Sequence, residues 1–170
     1  MIDQIETARL ILRQFQHDDL PAVYELLGND KVMEFSLSGP YDIGKCEQFI
    51  NHCKDSYSKN GFGLLAVVVE SVDRIIGYCG ISLQEVDGSQ IPEIGYRFHP
   101  DFWGQGYATE AARGILNAAR ESGRFAELIA IIEPENISSI RLAEKLGFCF
   151  ESKSLFHKRI PVNIYRKKLL

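Results

Sequence analysis

Apolar positions along the chain follow two periods. Short runs rich in β-branched and aromatic residues mark "RLILRQF", "FGLLAVVVE", "RIIGYCGISL", "IPEIGYRFHP", "AELIAIIE", "FCFESKSLF" and "IPVNIYRKKL" as strands. Between them lie segments of helical period. In "HDDLPAVYELLG" the residues Leu20, Val23, Tyr24 and Leu27 share one face, with Asp18 or Asp19 as cap and Gly28 as stop. In "DIGKCEQFINHCKDSYSKNG" the apolar stripe is Ile43, Cys46, Ile50, Cys53 and Tyr57. "YATEAARGILNAARESG" buries Ala108, Ala112, Ile115 and Ala119 and stops at Gly123, and "PENISSIRLAEKLGF" reads as a short helix closed at Gly147. The turn-like "SVD" makes a hairpin of the second and third strands, and "QEVDGSQ" turns the chain into the fourth.

This order is strand, two helices, three strands, helix, strand, helix and two strands. It predicts a mixed α/β (α+β) sheet of seven strands, mostly antiparallel, with about four helices and one parallel βαβ step, and not a doubly wound sheet. The 170 residues have the length of one ordinary domain, and no repeat or linker-like run divides them, so residues 1–170 are expected to fold as a single domain.

Composition narrows the function classes. Charged residues are 25% of the chain and hydrophobic ones 45%, which excludes a disordered or fibrous chain. No apolar run reaches the length of a membrane span, and "MIDQIETARLILRQF" lacks the apolar core of a signal peptide, so a cytoplasmic protein without membrane contact is expected. A net charge of -4 argues against nucleic acid as a partner. Cys46, Cys53, Cys79 and Cys149 form no CxxC pair and have no histidine at ligand spacing, so they read as buried reduced thiols, with neither metal nor disulfide framework.

Chemistry concentrates in "FWGQGYATEA". Gly104 and Gly106 allow positive φ and close backbone approach, and the helix starting near Tyr107 offers unpaired N–H groups and the positive end of its dipole. An anion is the natural guest, although the same pair also serves as a plain strand-to-helix turn. A Walker A loop is excluded because no Gly-Lys-Ser/Thr follows, and the dinucleotide fingerprint fails because its third glycine position is Thr109.

Taken together, "EIGYRFHPDFWGQGYATEAARGIL" and "NISSIRLAEKLGF" resemble the two signature blocks of the GNAT N-acetyltransferase superfamily, most closely the branch of ribosomal-protein N-terminal acetyltransferases. "TARLILRQFQHDD" and "IIGYCGISL" fit the same branch, so the resemblance spans nearly the whole chain. It implies a GNAT fold with acetyl-CoA in a wedge between the strands flanking the loop and its helix. The pantetheine would pair with the backbone of Arg97, Phe98 and His99, and the pyrophosphate with the run Trp103, Gly104, Gln105, Gly106, Tyr107 and Ala108. The family's loop usually opens with Arg or Gln; Trp103 stands there instead, a departure shared by this branch.

The resemblance also implies that Asn136 bonds the pantetheine arm and that Ser139 lies near the thioester sulfur. Asn136 equally suits a helix cap and Ser139 a first turn. Many members carry a tyrosine as general acid where this chain has Ala143, which leaves Ser139 or a water to protonate the thiolate. Transfer needs a neutral amine, hence a base. Glu93 shares a strand face with Gly95 and Arg97 and is the first candidate, an exposed strand-edge carboxylate being the alternative; Glu133 is the runner-up. His99 and His157 are expected at the surface. Lys145 and Arg113 either approach the nucleotide phosphates or form a solvated face.

The expected partners are acetyl-CoA and an amine acceptor, with a homodimer allowed. The leading acceptor is a protein N-terminal α-amine, from the branch resembled. Alternatives are a small amine (a polyamine, amino acid or aminoglycoside) or a CoA-binding module without turnover.

Overall fold

The computed structural model describes residues 3–36, 38–86, 88–157 and 159–169. Eight strands form one sheet: β1 (Gln4–Glu6), β2 (Leu10–Arg13), β3 (Leu64–Val69), β4 (Arg74–Val86), β5 (Ser89–Phe98), β6 (Glu127–Ile132), β7 (Cys149–Phe156) and β8 (Ile160–Lys168). Their order is β1-β2-β3-β4-β5-β6-β8-β7. Four helices accompany them: α1 (Leu20–Leu27), α2 (Ile43–Asn60), α3 (Tyr107–Ser122) and α4 (Ile137–Lys145). The mixed, mostly antiparallel architecture expected from the sequence is therefore present, with one strand more than the seven predicted. The extra strand, β1, pairs Gln4 with Arg13 and Glu6 with Ile11, and three residues are too few to show a period.

Helix faces explain most of the core and correct part of the prediction. On α1, Val23 and Leu27 are buried as expected, but Leu26 is buried too and Tyr24 lies 48% exposed on the flank. Cys46, Ile50, Cys53 and Tyr57 make the buried stripe of α2, whereas Ile43, at its first position, is 51% exposed. Asp42 caps α2 by accepting from Lys45 N–H at 2.8 Å, and Gly61 ends it in the left-handed conformation. Cys46, Cys53 and Cys79 are buried free thiols; Cys149 is exposed, because it begins the edge strand β7. Among the described residues no helix is long and apolar enough to cross a membrane.

α3 rests on the sheet through Ala111, Ala112, Ile115, Leu116 and Ala119, mostly small side chains that let helix and strands approach closely. Ala108, expected in that stripe, is only partly buried. The hairpin turn between β4 and β5 is tighter than "QEVDGSQ" predicts, since the ladder continues to Val86 and Ser89.

All neighbouring strands run antiparallel except β5 and β6, the pair that α3 connects. These two share a single registered pair, Glu93 with Ile129, and then separate. Close backbone packing elsewhere keeps the sheet continuous up to that point. A Cβ on Gly80 would stand 2.2 Å from the Gly63 carbonyl oxygen and 2.6 Å from Leu64 Cα, both backbone atoms that cannot yield locally. Gly80→Ala is expected to lower the unfolding free energy by about 3 kcal/mol, the upper end for overpacking. Chemical denaturation followed by circular dichroism measures it, and an unchanged midpoint would show that β3 and β4 can move apart.

Candidate active site

The separation of β5 from β6 opens a cleft of about 1050 Å³. A regular parallel ladder would continue past Ile129, but the Ile131 N–H is taken by the Glu93 carboxylate at 3.3 Å instead of by a β5 carbonyl. Further along β5, His99 N–H donates to Ile76 O at 2.8 Å and so belongs to the β4 side. Antiparallel alternation turns the backbone of Phe98 the other way, towards the cleft. Of the three strand-end residues named from the sequence, then, Phe98 is the one whose main chain faces the opening. Its carbonyl accepts from Trp103 Nε1 at 2.7 Å. Trp103 thus closes the turn between strand and glycine loop while its ring stays 51% exposed.

The loop itself is built for a bare backbone. Gly104 and Gly106 have φ of 72° and 84°, conformations that cost a side-chain-bearing residue. Gly106 is the N-cap of α3, so no capping side chain covers the first-turn N–H groups of Tyr107 and Ala108. Gln105 donates its amide to Asp101 O at 2.8 Å and points back into the loop. Sequence reasoning missed the residue that braces this loop from outside, Arg9, immediately before β2. Arg9 Nε donates to Glu110 Oε2 at 2.7 Å, its Nη1 to Gln105 O at 3.0 Å, and its guanidinium lies 4.3 Å from the Tyr107 ring centroid. Thr7 Oγ1 and Arg9 N–H both donate to Glu110 Oε1, at 2.7 and 2.8 Å. Although burial pushes the other way, these bonds hold the Glu110 carboxyl below its ordinary range. The only prior signal was an arginine opening the run "RLILRQF".

On the far side of the cleft, Asn136 caps α4: its Oδ1 accepts from Ser139 N–H at 3.2 Å and Ser138 Oγ at 3.0 Å. Asn136 and Ser139 both line the cleft. Tyr96, which the sequence did not single out, donates its hydroxyl to Ser139 O at 3.2 Å and ties β5 to the start of α4. Burial pushes its pKa well above the usual phenol value, so it remains neutral. Ala143 is buried, with no hydroxyl to offer in its place.

Glu93, Gly95 and Arg97 line the cleft together. Burial raises the Glu93 pKa to about 7, against the opposing influence of the Ile131 N–H, Gln84 and Arg97. Arg97 donates Nε to Tyr78 Oη at 3.0 Å and Nη1 to Val32 O at 3.0 Å and Met33 Sδ at 3.3 Å, which fastens the segment between α1 and α2 to β5. That segment contributes Glu34, Phe35 and Tyr41 to the cleft wall. Glu133 lines the cleft beyond the divergence. His157 is exposed at the rim, as expected; His99 is partly buried instead, with Nδ1 accepting from Asp101 N–H at 3.4 Å. Lys145 lines the main cleft, and Lys145 and Arg113 line an adjoining hollow with Arg9. Among the described residues no group of three or more His, Cys, Asp or Glu side chains is placed to hold a metal ion.

A sheet split at its single parallel pair, with a glycine loop and helix start on one side of the split and a capped helix on the other, defines a class. Comparison of the sequence gives it a name: residues 9–149 match the family described as "Acetyltransferase (GNAT) domain". The chain belongs to the GNAT acetyltransferase family and is an N-acetyltransferase by that membership. It is 32% identical over 167 residues to YkkB of Bacillus subtilis (strain 168), covering 97% of this chain and 95% of that protein. It is 26% identical over 161 residues to the spermidine N(1)-acetyltransferase of Escherichia coli (strain K12), covering 93% and 82%. In structure it superposes on RimL, the ribosomal L7/L12 α-N-protein acetyltransferase in complex with coenzyme A, with a TM-score of 0.82, 16% identity and 98% of each chain covered.

The raised carboxyl of Glu93 has a thermodynamic consequence. Its folded pKa of about 7 lies above the ordinary value of 4.5, so the folded state binds more protons than the unfolded state between those limits. Stability from this group is present at low pH and is lost as pH rises through about 7. Glu93→Gln is therefore expected to melt above the wild type at pH 8, with the gap closing towards pH 5. Differential scanning calorimetry across that range checks it, and a pH-independent gap would contradict the assigned shift.

Proposed function

We propose that this N-acetyltransferase transfers acetyl directly from acetyl-CoA to a protein N-terminal α-amine. The observation that carries the transfer is Glu93, a carboxylate titrating near neutrality at the point where β5 and β6 part, between the glycine loop and the segment after α1; the choice of acceptor rests on the resemblance to the ribosomal-protein N-terminal branch. The pyrophosphate is assigned to the N–H groups of Gly106, Tyr107 and Ala108, and the pantetheine to the other main-chain groups of the β5 end that face the cleft, with Asn136 opposite.

In this scheme ionised Glu93 accepts a proton, directly or through a water, either from the ammonium before attack or from the neutral amine as the N–C bond forms. The Phe98 N–H stabilises the oxyanion, a contribution worth roughly 3 kcal/mol when such a donor is lost. Collapse of the tetrahedral intermediate breaks the C–S bond, and Ser139, or a water beside it, delivers a proton to the thiolate. Tyr96 sets the carbonyl end of Ser139 and so the start of α4, while Asn136 fixes its N–H. No cysteine is among the described residues lining the cleft, which favours a ternary complex over an acyl-enzyme.

A small polycationic amine is the second reading, favoured by Glu34 and Glu133 at the cleft wall and by the likeness to the spermidine enzyme. Thiol release from acetyl-CoA, corrected for hydrolysis and measured with a panel of N-terminal peptides and polyamines, separates the two. Mass spectrometry then locates the acetyl group. Faster turnover of spermidine than of every peptide would overturn the peptide assignment, and coenzyme binding without transfer to any acceptor would indicate a module without turnover.

For the base, wild-type kcat/KM for the amine should rise as pH passes upward through about 7, where Glu93 loses its proton. Glu93→Gln should be slower by about 10²–10⁴-fold and lack that limb, with acetyl-CoA affinity nearly unchanged. An identical pH profile in the variant removes Glu93 as base. Gly106→Val should abolish coenzyme binding measured by calorimetry, because φ of 84° is strained for a branched residue, so the loop and the start of α3 must shift, and its Cβ would stand 3.4 Å from Arg9 Nη2. Normal affinity there would contradict the loop assignment.

A further inference from the structure

We propose that Arg9 is a positioning and charge-balancing residue of the pyrophosphate site, supplied to the glycine loop from the bend between β1 and β2. This rests on the assignment of that loop to acetyl-CoA. The loop run from Trp103 to Ala108 contains no cationic side chain, and its one flexible polar group, Gln105, is bonded back to Asp101. Worse for an anion, Glu110 stands in the first turn of α3, where its charge opposes the dipole end on which a phosphate would rest.

Arg9 answers both deficits. Nε pairs with Glu110 Oε2 at 2.7 Å and cancels its charge, Nη1 holds Gln105 O at 3.0 Å, and the guanidinium plane lies over Tyr107, so three points of the loop and helix start are fixed by one side chain. Its Nη2 has no bond among the described residues and lies 3.4 Å from where a Cβ of Gly106 would stand. That nitrogen lies beside the N-cap glycine of α3, in the hollow that shares Gly106, Thr109 and Lys145 with the main cleft, with its donors free for a phosphate oxygen reaching across the loop. The Arg9 side chain is 44% exposed, accessible to a ligand entering from solvent.

The test compares two donors, acetyl-CoA and S-acetyl-pantetheine, which shares the thioester but lacks pyrophosphate and nucleotide. Arg9→Gln should raise the Kd and KM for acetyl-CoA roughly 10- to 100-fold, the range of a lost charge-assisted contact, with little change in kcat at saturation. The KM for S-acetyl-pantetheine should stay at the wild-type value. Adding Glu110→Gln should recover part of the lost affinity, since the uncompensated carboxylate is then gone. Arg9→Lys, which keeps the charge but loses the fork, should fall between and serves if Arg9→Gln folds poorly by thermal melting. Equal losses with both donors, or an unchanged Kd for acetyl-CoA, overturns the role of Arg9. A wild-type protein that binds no acetyl-CoA overturns the functional reading beneath it as well.

Discussion

A parallel strand pair that holds for one registered contact and then opens is the constraint on which the rest of the structure depends. Parting two strands inside a sheet leaves backbone N–H and C=O groups without partners, and buried main-chain groups are seldom left so. The chain meets this demand with side chains and leaves part of it open. Glu93 takes the Ile131 N–H on one flank, and the Trp103 indole takes the Phe98 carbonyl on the other. The remaining main-chain groups of the β5 end face the cleft, where an extended ligand with amide groups can complete them.

Alternation along β5 then sorts the site into two faces. Glu93, Gly95 and Arg97 stand on the side of Tyr78 and the segment between α1 and α2; Ile94, Tyr96 and Phe98 belong to the side covered by α3 and α4. In the proposed reaction the base and acceptor therefore approach from one face and the thiol's proton donor from the other. Burial raises the Glu93 carboxyl and keeps Tyr96 neutral by the same mechanism, desolvation of a charged form, with opposite outcomes: one group is brought to titrate near neutrality and the other is kept from titrating.

Much of this was legible in the sequence because it rests on local periods. The four helices, the seven longer strands, the parallel step and the caps at Asn136 and Gly123 all declare themselves within a few residues. What was missed is non-local or too short to carry a period. β1 has three residues; Tyr24 and Ile43 sit at the margins of their stripes, where one position of helical phase decides burial. Arg9 and Glu110 lie 101 residues apart, and Tyr96 reaches Ser139 across 43, so no window of sequence joins them. Likewise, which main-chain groups of Arg97, Phe98 and His99 are free follows from the register with β4, a pairing that strand composition does not specify.

Arg97 grips the segment between α1 and α2 chiefly through the main-chain carbonyl of Val32, a group every residue possesses. The tether therefore places little demand on which side chains the segment carries. Glu34 is exposed and Phe35 only partly buried, and neither takes part in the tether, whereas Tyr41 packs against the core. Under the proposed assignment, such an arrangement makes the acceptor wall an interchangeable cassette on a fixed donor half, so substrate range can drift during evolution without re-inventing the machinery that delivers the acetyl group.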